Sequence, residues 1–322
     1  MTPEQLQQLR SQLRPFEQRA ELAPGMQQFC RFYGIDFSTR HPLAEYRAGC
    51  VQSGDHSLAV HFWCAPGARA NLLLVHGYFD HTGLYGKLIE WALSKNCNVL
   101  MFDLPGHGLS SGEAAVIDDF GDYSQALADV LAAVELPQLP LWVMAQSTGG
   151  AALVDFARTH EWPFAATVLL APLVRPASWR GVRLAHSLLR PFIDSIPRNF
   201  PVNTSDGEFL AVLKNDPLQS RRMSLRWIAA LRRWLGGLEQ RDLGVGPALV
   251  IQGDADGTVD WRYNVGVICE LFPGSQVEYL SGAGHQLANE SAENRYLYLS
   301  CVETWLAENG IVLEGSSGIE AR

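Results

Sequence analysis

The chain has 322 residues, 47% hydrophobic and 18% charged, and a net charge of −9, which is enough for one large core or a core carrying an insertion. The negative balance disfavours nucleic acid as a partner, because neutralising phosphates needs a basic surface. No apolar stretch is long enough to span a bilayer, and residues 1–20, rich in Gln, Glu and Arg, lack the apolar segment of a secretory signal, so a soluble cytoplasmic protein is expected.

Along the chain, residues 45–53 and 56–64 read as short extended runs around Gly54-Asp55, a hairpin signal. From there strand alternates with helix. Apolar strands are predicted at 71–76, 98–103, 141–146, 167–171, 248–252 and 276–280, with helices near 84–95, 118–134, 148–160, 260–271 and 290–308. Buried strands joined by crossover helices imply an α/β architecture. Its sheet is mostly parallel, with helices on both faces and the hairpin as an antiparallel edge. In such sheets, sites form at the carboxyl ends of the strands.

The stretch 173–246 is too long for one connection and is expected to fold as an inserted helical cap, leaving 1–172 and 247–322 as the core. Within it Trp227, Ile228, Leu231, Trp234 and Leu235 fall on one helical face, with Arg222, Arg226 and Arg233 on the other. Twelve basic residues against six acidic ones make this stretch +6 and the remainder −15. Two readings stay open: a solvated, arginine-studded helix, or a peripheral surface that meets an anionic membrane while Trp and Leu shield an acyl chain. The six cysteines (Cys30, Cys50, Cys64, Cys97, Cys269, Cys301) are far apart, with no Cys-x-x-Cys spacing, and are expected to be buried free thiols rather than zinc ligands. The tail from Gly310 is expected to be mobile.

The chemistry starts at residues 141–150, Leu-Trp-Val-Met-Ala-Gln-Ser-Thr-Gly-Gly. An apolar run ending in one hydroxyl and followed by a helical pattern places Ser147 on a sharp strand-to-helix turn. Such a turn tolerates only small residues two before and two after, here Ala145 and Gly149. The helix that follows aims its first free N–H groups, Thr148 first, at any oxygen that becomes anionic. Alone, a serine there is as readily a helix N-cap. A hydroxyl also needs a base and a carboxylate to orient that base. Downstream, 250–259 ends a strand in Asp254 and Asp256, and 280–285 ends the next in Ser-Gly-Ala-Gly-His285. Asp256 lies far enough beyond its strand to reach His285, while Asp254 is expected to cap the loop. The second oxyanion donor is expected at Tyr78, where Gly77 lets the backbone turn after the first buried strand. His76 and His81 have no third ligand at matching spacing, so no metal is expected and His76 is read as structural. The turn 103–112 lacks the Lys-Ser/Thr ending of a phosphate loop. Asp103 and His107 are expected to tie loops through backbone hydrogen bonds.

Together, His76-Gly77-Tyr78, Asp103-x-Pro-Gly-His-Gly-x-Ser, Gln146-Ser147-Thr148-Gly149-Gly150, Gly253-x-x-Asp256 and Gly284-His285 resemble the α/β-hydrolase family over about residues 45–308. The run His-Gly-x-x-x-His-x-Gly-x-Tyr from His76 to Tyr85 resembles its monoacylglycerol lipase and lysophospholipase branch. The resemblance implies a catalytic triad of Ser147 as nucleophile, His285 as general base and Asp256 as orienter. It also implies Tyr78 and Thr148 as oxyanion-hole donors, and no cofactor. Ala145 departs from the usual glycine of the elbow. The expected activity is that of a serine esterase or lipase cleaving a small-molecule or lipid carboxylic ester, of monoacylglycerol or lysophospholipid type, through an acyl-enzyme. The competing readings are acyl transfer from the same acyl-enzyme and a catalytically silent binding protein of this fold.

Overall fold

The computed structural model describes residues 1–17, 21–199 and 202–313. Two helices open the chain, α1 (Pro3–Ser11) and α2 (Met26–Phe32), followed by the hairpin strands β1 (Glu45–Ser53) and β2 (His56–Cys64). Next come β3 (Ala70–Val75), α3 (Gly86–Ser94), β4 (Cys97–Phe102), α4 (Gly121–Ala133), β5 (Leu141–Gln146), α5 (Thr148–Thr159) and β6 (Ala166–Leu170). The connection from β6 to the next strand of the sheet, called the insertion below, holds α6 (Trp179–Leu189), β7 (Ser195–Pro197), α7 (Gly207–Asn215), β8 (Arg222–Ser224) and α8 (Leu225–Gly236). The chain then returns through β9 (Leu249–Gly253), α9 (Trp261–Leu271), β10 (Gln276–Leu280) and α10 (Ala292–Glu308).

Eight strands form one sheet in the order β1-β2-β4-β3-β5-β6-β9-β10. The pairs β1–β2 and β2–β4 are antiparallel, and every pair from β4 onward is parallel. The central strands β3, β4, β5, β6 and β9 are buried along essentially their whole length, as expected of strands covered on both faces. One face packs on α3, α10 and the two N-terminal helices through Leu6, Leu9, Met26 and Phe29. The other packs on α4, α5 and α9, joined by Trp227, Ile228, Leu231 and Trp234 of α8. This helix of the insertion is therefore part of the main core: Trp234 stacks on Phe120 at 5.3 Å and its indole N–H donates to Asp155 at 3.0 Å.

Several expectations need correction. The polar N-terminal segment carries two helices not read from the sequence, the first opened by a reciprocal capping box between Thr2 and Gln5. Ile311 and Leu313 are buried in the core rather than mobile; the remainder of the tail, 314–322, lies outside the described residues. All six cysteines are free, but only Cys30 and Cys97 are fully buried.

Candidate active site

The parallel strands bring four loops to one end of the sheet. At the end of β5, Ser147 has φ 53° and ψ −112°, a positive-φ conformation that a non-glycine residue adopts only when its surroundings enforce it. Its amide donates to the Leu170 carbonyl at 2.9 Å, and its carbonyl accepts from Leu173 N at 3.0 Å. The steric reason for a glycine two residues on is direct: a Cβ on Gly149 would lie 2.6 Å from the Val75 carbonyl oxygen. Ala145 is fully buried opposite Val75 in the β3–β5 register, so its methyl is packed rather than obstructive.

His285 is delivered by the loop after β10, which passes so close to its neighbours that side chains are excluded. A Cβ on Gly253 would sit 2.3 Å from the Ala283 carbonyl oxygen, and one on Gly284 would sit 2.4 Å from that of Asn203. The ring lies between the other two groups: Nε2 is 2.9 Å from Ser147 Oγ, and Nδ1 is 2.7 Å from Asp256 Oδ2. Asp256 also accepts from Thr258 N (2.8 Å) and Val259 N (3.2 Å) at Oδ1, and from Gln252 Nε2 (3.2 Å) at Oδ2. Burial pushes its pKa up, but the adjacent imidazole and these donors outweigh that and hold the carboxyl below its ordinary value. An ionised Asp256 can only accept, so Nδ1 carries the proton and Nε2 is left to accept from the Ser147 hydroxyl. Asp254 points elsewhere, accepting from Gly282 N at 2.6 Å. Sequence reasoning places Gln146 beside the serine but gives it no role; its Nε2 donates to the His285 carbonyl at 2.9 Å and thereby anchors the histidine loop to the serine strand.

Across the site, residues 77–80 form a tight turn closed by Asp80 N donating to the Gly77 carbonyl at 3.1 Å. The Tyr78 amide has no acceptor among the described residues, and Thr148 is the first residue of α5, whose amide has no intrahelical partner. The Tyr78 ring stacks on Trp227 of α8 at 4.1 Å, and its hydroxyl donates to the Ala115 carbonyl at 2.7 Å. Beneath the turn, His76 Nε2 accepts from Leu104 N (2.9 Å) while Nδ1 donates to the Gly77 carbonyl (2.8 Å). Asp103 accepts from Thr82 N and Leu109 N, each at 2.7 Å, and His107 bonds the Pro105 carbonyl at 2.9 Å. Ser147 and His285 are each 7% exposed, so both side chains are largely shielded from solvent.

The basic face expected of the insertion is engaged. Arg222 lies on β8 rather than on the helix and bonds Ser195 across the β7–β8 ribbon. Arg226 pairs with Glu113 at 2.9 Å and with Asp118, and Arg233 donates to the Asp118 carbonyl. They tie α8 to the core. Exposed apolar side chains of the insertion cluster on and just after α6, at Leu184, Leu188 and Phe192, with Val202 and Val212 exposed further along.

Known proteins are similar to this chain over most of its length. The human monoglyceride lipase is 26% identical over 277 residues, covering 80% of this chain and 89% of that protein. The monoacylglycerol lipase of Mycolicibacterium smegmatis is 24% identical over 261 residues, covering 75% and 89%. Among solved structures, a soluble variant of the Saccharomyces cerevisiae monoglyceride lipase in complex with a substrate analog superposes with a TM-score of 0.69 at 19% identity, covering 81% of this chain and 94% of that one; this likeness establishes the α/β-hydrolase fold. The family described as Hydrolase_4, serine aminopeptidase S33, matches residues 66–292. That span is well over half of the sequence, and the chain belongs to this family.

Proposed function

We propose that this protein is a serine hydrolase that cleaves carboxylic esters of the monoacylglycerol type through an acyl-enzyme. The observation that carries the reading is the position of His285, 2.9 Å from one hydroxyl and 2.7 Å from one buried carboxylate. In this reading His285 takes the Ser147 proton as Oγ attacks the ester carbonyl. Asp256 holds the ring in the required tautomer and stabilises the imidazolium. The carbonyl oxygen becomes an oxyanion held by the Tyr78 and Thr148 amides. His285 then returns the proton to the departing alcohol, and a water activated by the same ring releases the acid. Relatives named for lipase activity on monoacylglycerols favour hydrolysis over acyl transfer or a silent site. The roles need no metal or cofactor.

Residues 173–246 serve in this reading as the cap over the site, and the protein works in the cytoplasm; no helix among the described residues is long and apolar enough to cross a membrane. Contact with an anionic membrane is assigned to α6. Leu184 and Leu188 are exposed there and Phe192 just after it, and Arg180 and Arg183 make no ion pair among the described residues. The test is a panel of glycerol esters and lysophospholipids of varied acyl length, assayed with wild type and Ser147→Ala. Monoacylglycerols are expected to give the highest kcat/KM, with Ser147→Ala inactive on all. Equal rates for the two proteins would exclude the acyl-enzyme, and a preference for lysophospholipids would reassign the headgroup.

A further inference from the structure

The turn that carries the Tyr78 amide is held in an unfavourable shape from outside. Phe79, its third residue, has φ 69°. A positive φ at this position belongs to a type II turn, where glycine is the favoured residue, and a phenylalanine there persists only if its neighbours hold it. They do so at both ends of the residue. Gln219, between α7 and β8, donates its Nε2 to the Phe79 carbonyl at 2.6 Å. The Arg198 guanidinium, which follows β7, lies 3.8 Å from the Phe79 ring centroid and donates to Gln219 Oε1 at 2.6 Å. Two residues beyond Phe79, His81 Nε2 meets Asp216 Oδ2 at 2.7 Å, both side chains being buried. Asp216 also accepts from the Tyr33 hydroxyl at 2.7 Å and from Gln219 Nε2 at 3.3 Å. Gln219, Arg198 and Asp216 all belong to the insertion, and none of them is hydrogen-bonded to Ser147, His285 or Asp256.

We infer that Gln219, braced by Arg198 and Asp216, is a positioning residue for the oxyanion hole: by fixing the Phe79 carbonyl it holds the 77–80 turn in the conformation that aims the Tyr78 amide at the reacting oxygen. The insertion thereby completes the catalytic geometry as well as covering the site. Were the Gln219 grip released, Phe79 would relax toward negative φ and the turn would lose the left-handed residue that sets the direction of its peptides. The acyl-enzyme chemistry would still run, with one oxyanion donor poorly aimed. This inference rests on the serine-esterase reading above.

The test uses the full chain with a short p-nitrophenyl ester, which makes few contacts beyond the reacting carbonyl. Gln219→Glu keeps size and the acceptor for Arg198 but removes the donor to Phe79; Gln219→Met removes both. For each, kcat is expected to fall about 10- to 100-fold, less than the ~10²–10³ for losing a donor outright, with KM within about twofold of wild type. The affinity for a trifluoromethyl ketone, whose serine adduct carries an oxyanion, should weaken in proportion to the loss in kcat/KM. Asp118→Asn loosens the insertion at the Arg226 tie instead and should leave kcat within about twofold. Melting curves identify any variant that fails to fold, and the remaining variant carries the test. Wild-type kcat in both folded Gln219 variants, or a loss confined to KM with ketone affinity unchanged, overturns the inference. A wild-type protein without esterase activity overturns the parent reading instead, and the two failures are thus distinguishable.

Discussion

The core loops and the insertion use their residues differently. At the sheet end, positions are dictated by backbone crowding: Gly149 and Gly253 each have a carbonyl oxygen within 2.6 Å of where a Cβ would stand, so the residue type is nearly forced. In the insertion, position is dictated by distant partners: α8 is fixed by Trp227 and Trp234 against α4 and α5, and Asp216 by His81 and Tyr33. Short-range constraint positions the proposed reacting groups. Long-range packing, in the inference above, sets how well they are aimed.

The largest effects are expected where the two regions differ most. His285→Ala should lower kcat by about 10⁶ and Asp256→Asn by about 10⁴, with Asp254→Asn near wild type, because in the proposed mechanism only the first two act with the serine. Steady-state kinetics on one ester decides the assignment, and equal losses at Asp254 and Asp256 would break it. Next, Trp234→Ala should cost about 3–5 kcal/mol in urea unfolding, since this insertion residue is packed as core. A loss under about 1 kcal/mol would mean that the insertion is a separable lid.

A smaller effect separates the regions by pH. Burial lowers the pKa of His61 and His76 to about 4 and of His107 to about 3; all three lie in the core and are held neutral. The unfolded chain takes up these protons near the ordinary value of 6.5, and the folded chain does not. Their contribution is therefore fully present above that value and is lost as pH falls from there toward about 4. Between about pH 7.5 and 5.5 each histidine should remove about 1 kcal/mol of stability. His107→Gln should flatten the slope of unfolding free energy against pH, and an unchanged slope would mean that the folded chain does not keep this ring neutral. Smallest is Arg226→Ala, an exposed ion-pair network expected to be worth under about 1 kcal/mol and to shrink with added salt.

The same contrast explains what is legible in the sequence. The strands of the sheet are readable because their apolar runs end in glycine, proline or a polar residue, and their observed bounds differ from the predicted ones by no more than one residue. Ser147, Asp256 and His285 stand out because each follows such a strand. α1 escapes a periodicity reading because its apolar residues are sparse, though Thr2-x-x-Gln5 is a capping-box signal. Arg222 mimics a residue of the α8 face because its spacing fits the helical period; Ser224, whose hydroxyl accepts from Arg226 N and Trp227 N, starts the helix after it. Gln146, Asp216 and Gln219 are beyond reach, since a glutamine or aspartate has no local signature for a partner more than a hundred residues away.

The central claim is a covalent intermediate on one serine, and intact-mass analysis of protein quenched during turnover of a slowly deacylating p-nitrophenyl ester tests it most directly. The account predicts a mass increase of one acyl group, mapped by peptide sequencing to Ser147 and absent in Ser147→Ala. Turnover with no adduct under conditions where deacylation is rate-limiting, or an adduct mapped to any other residue, would contradict it.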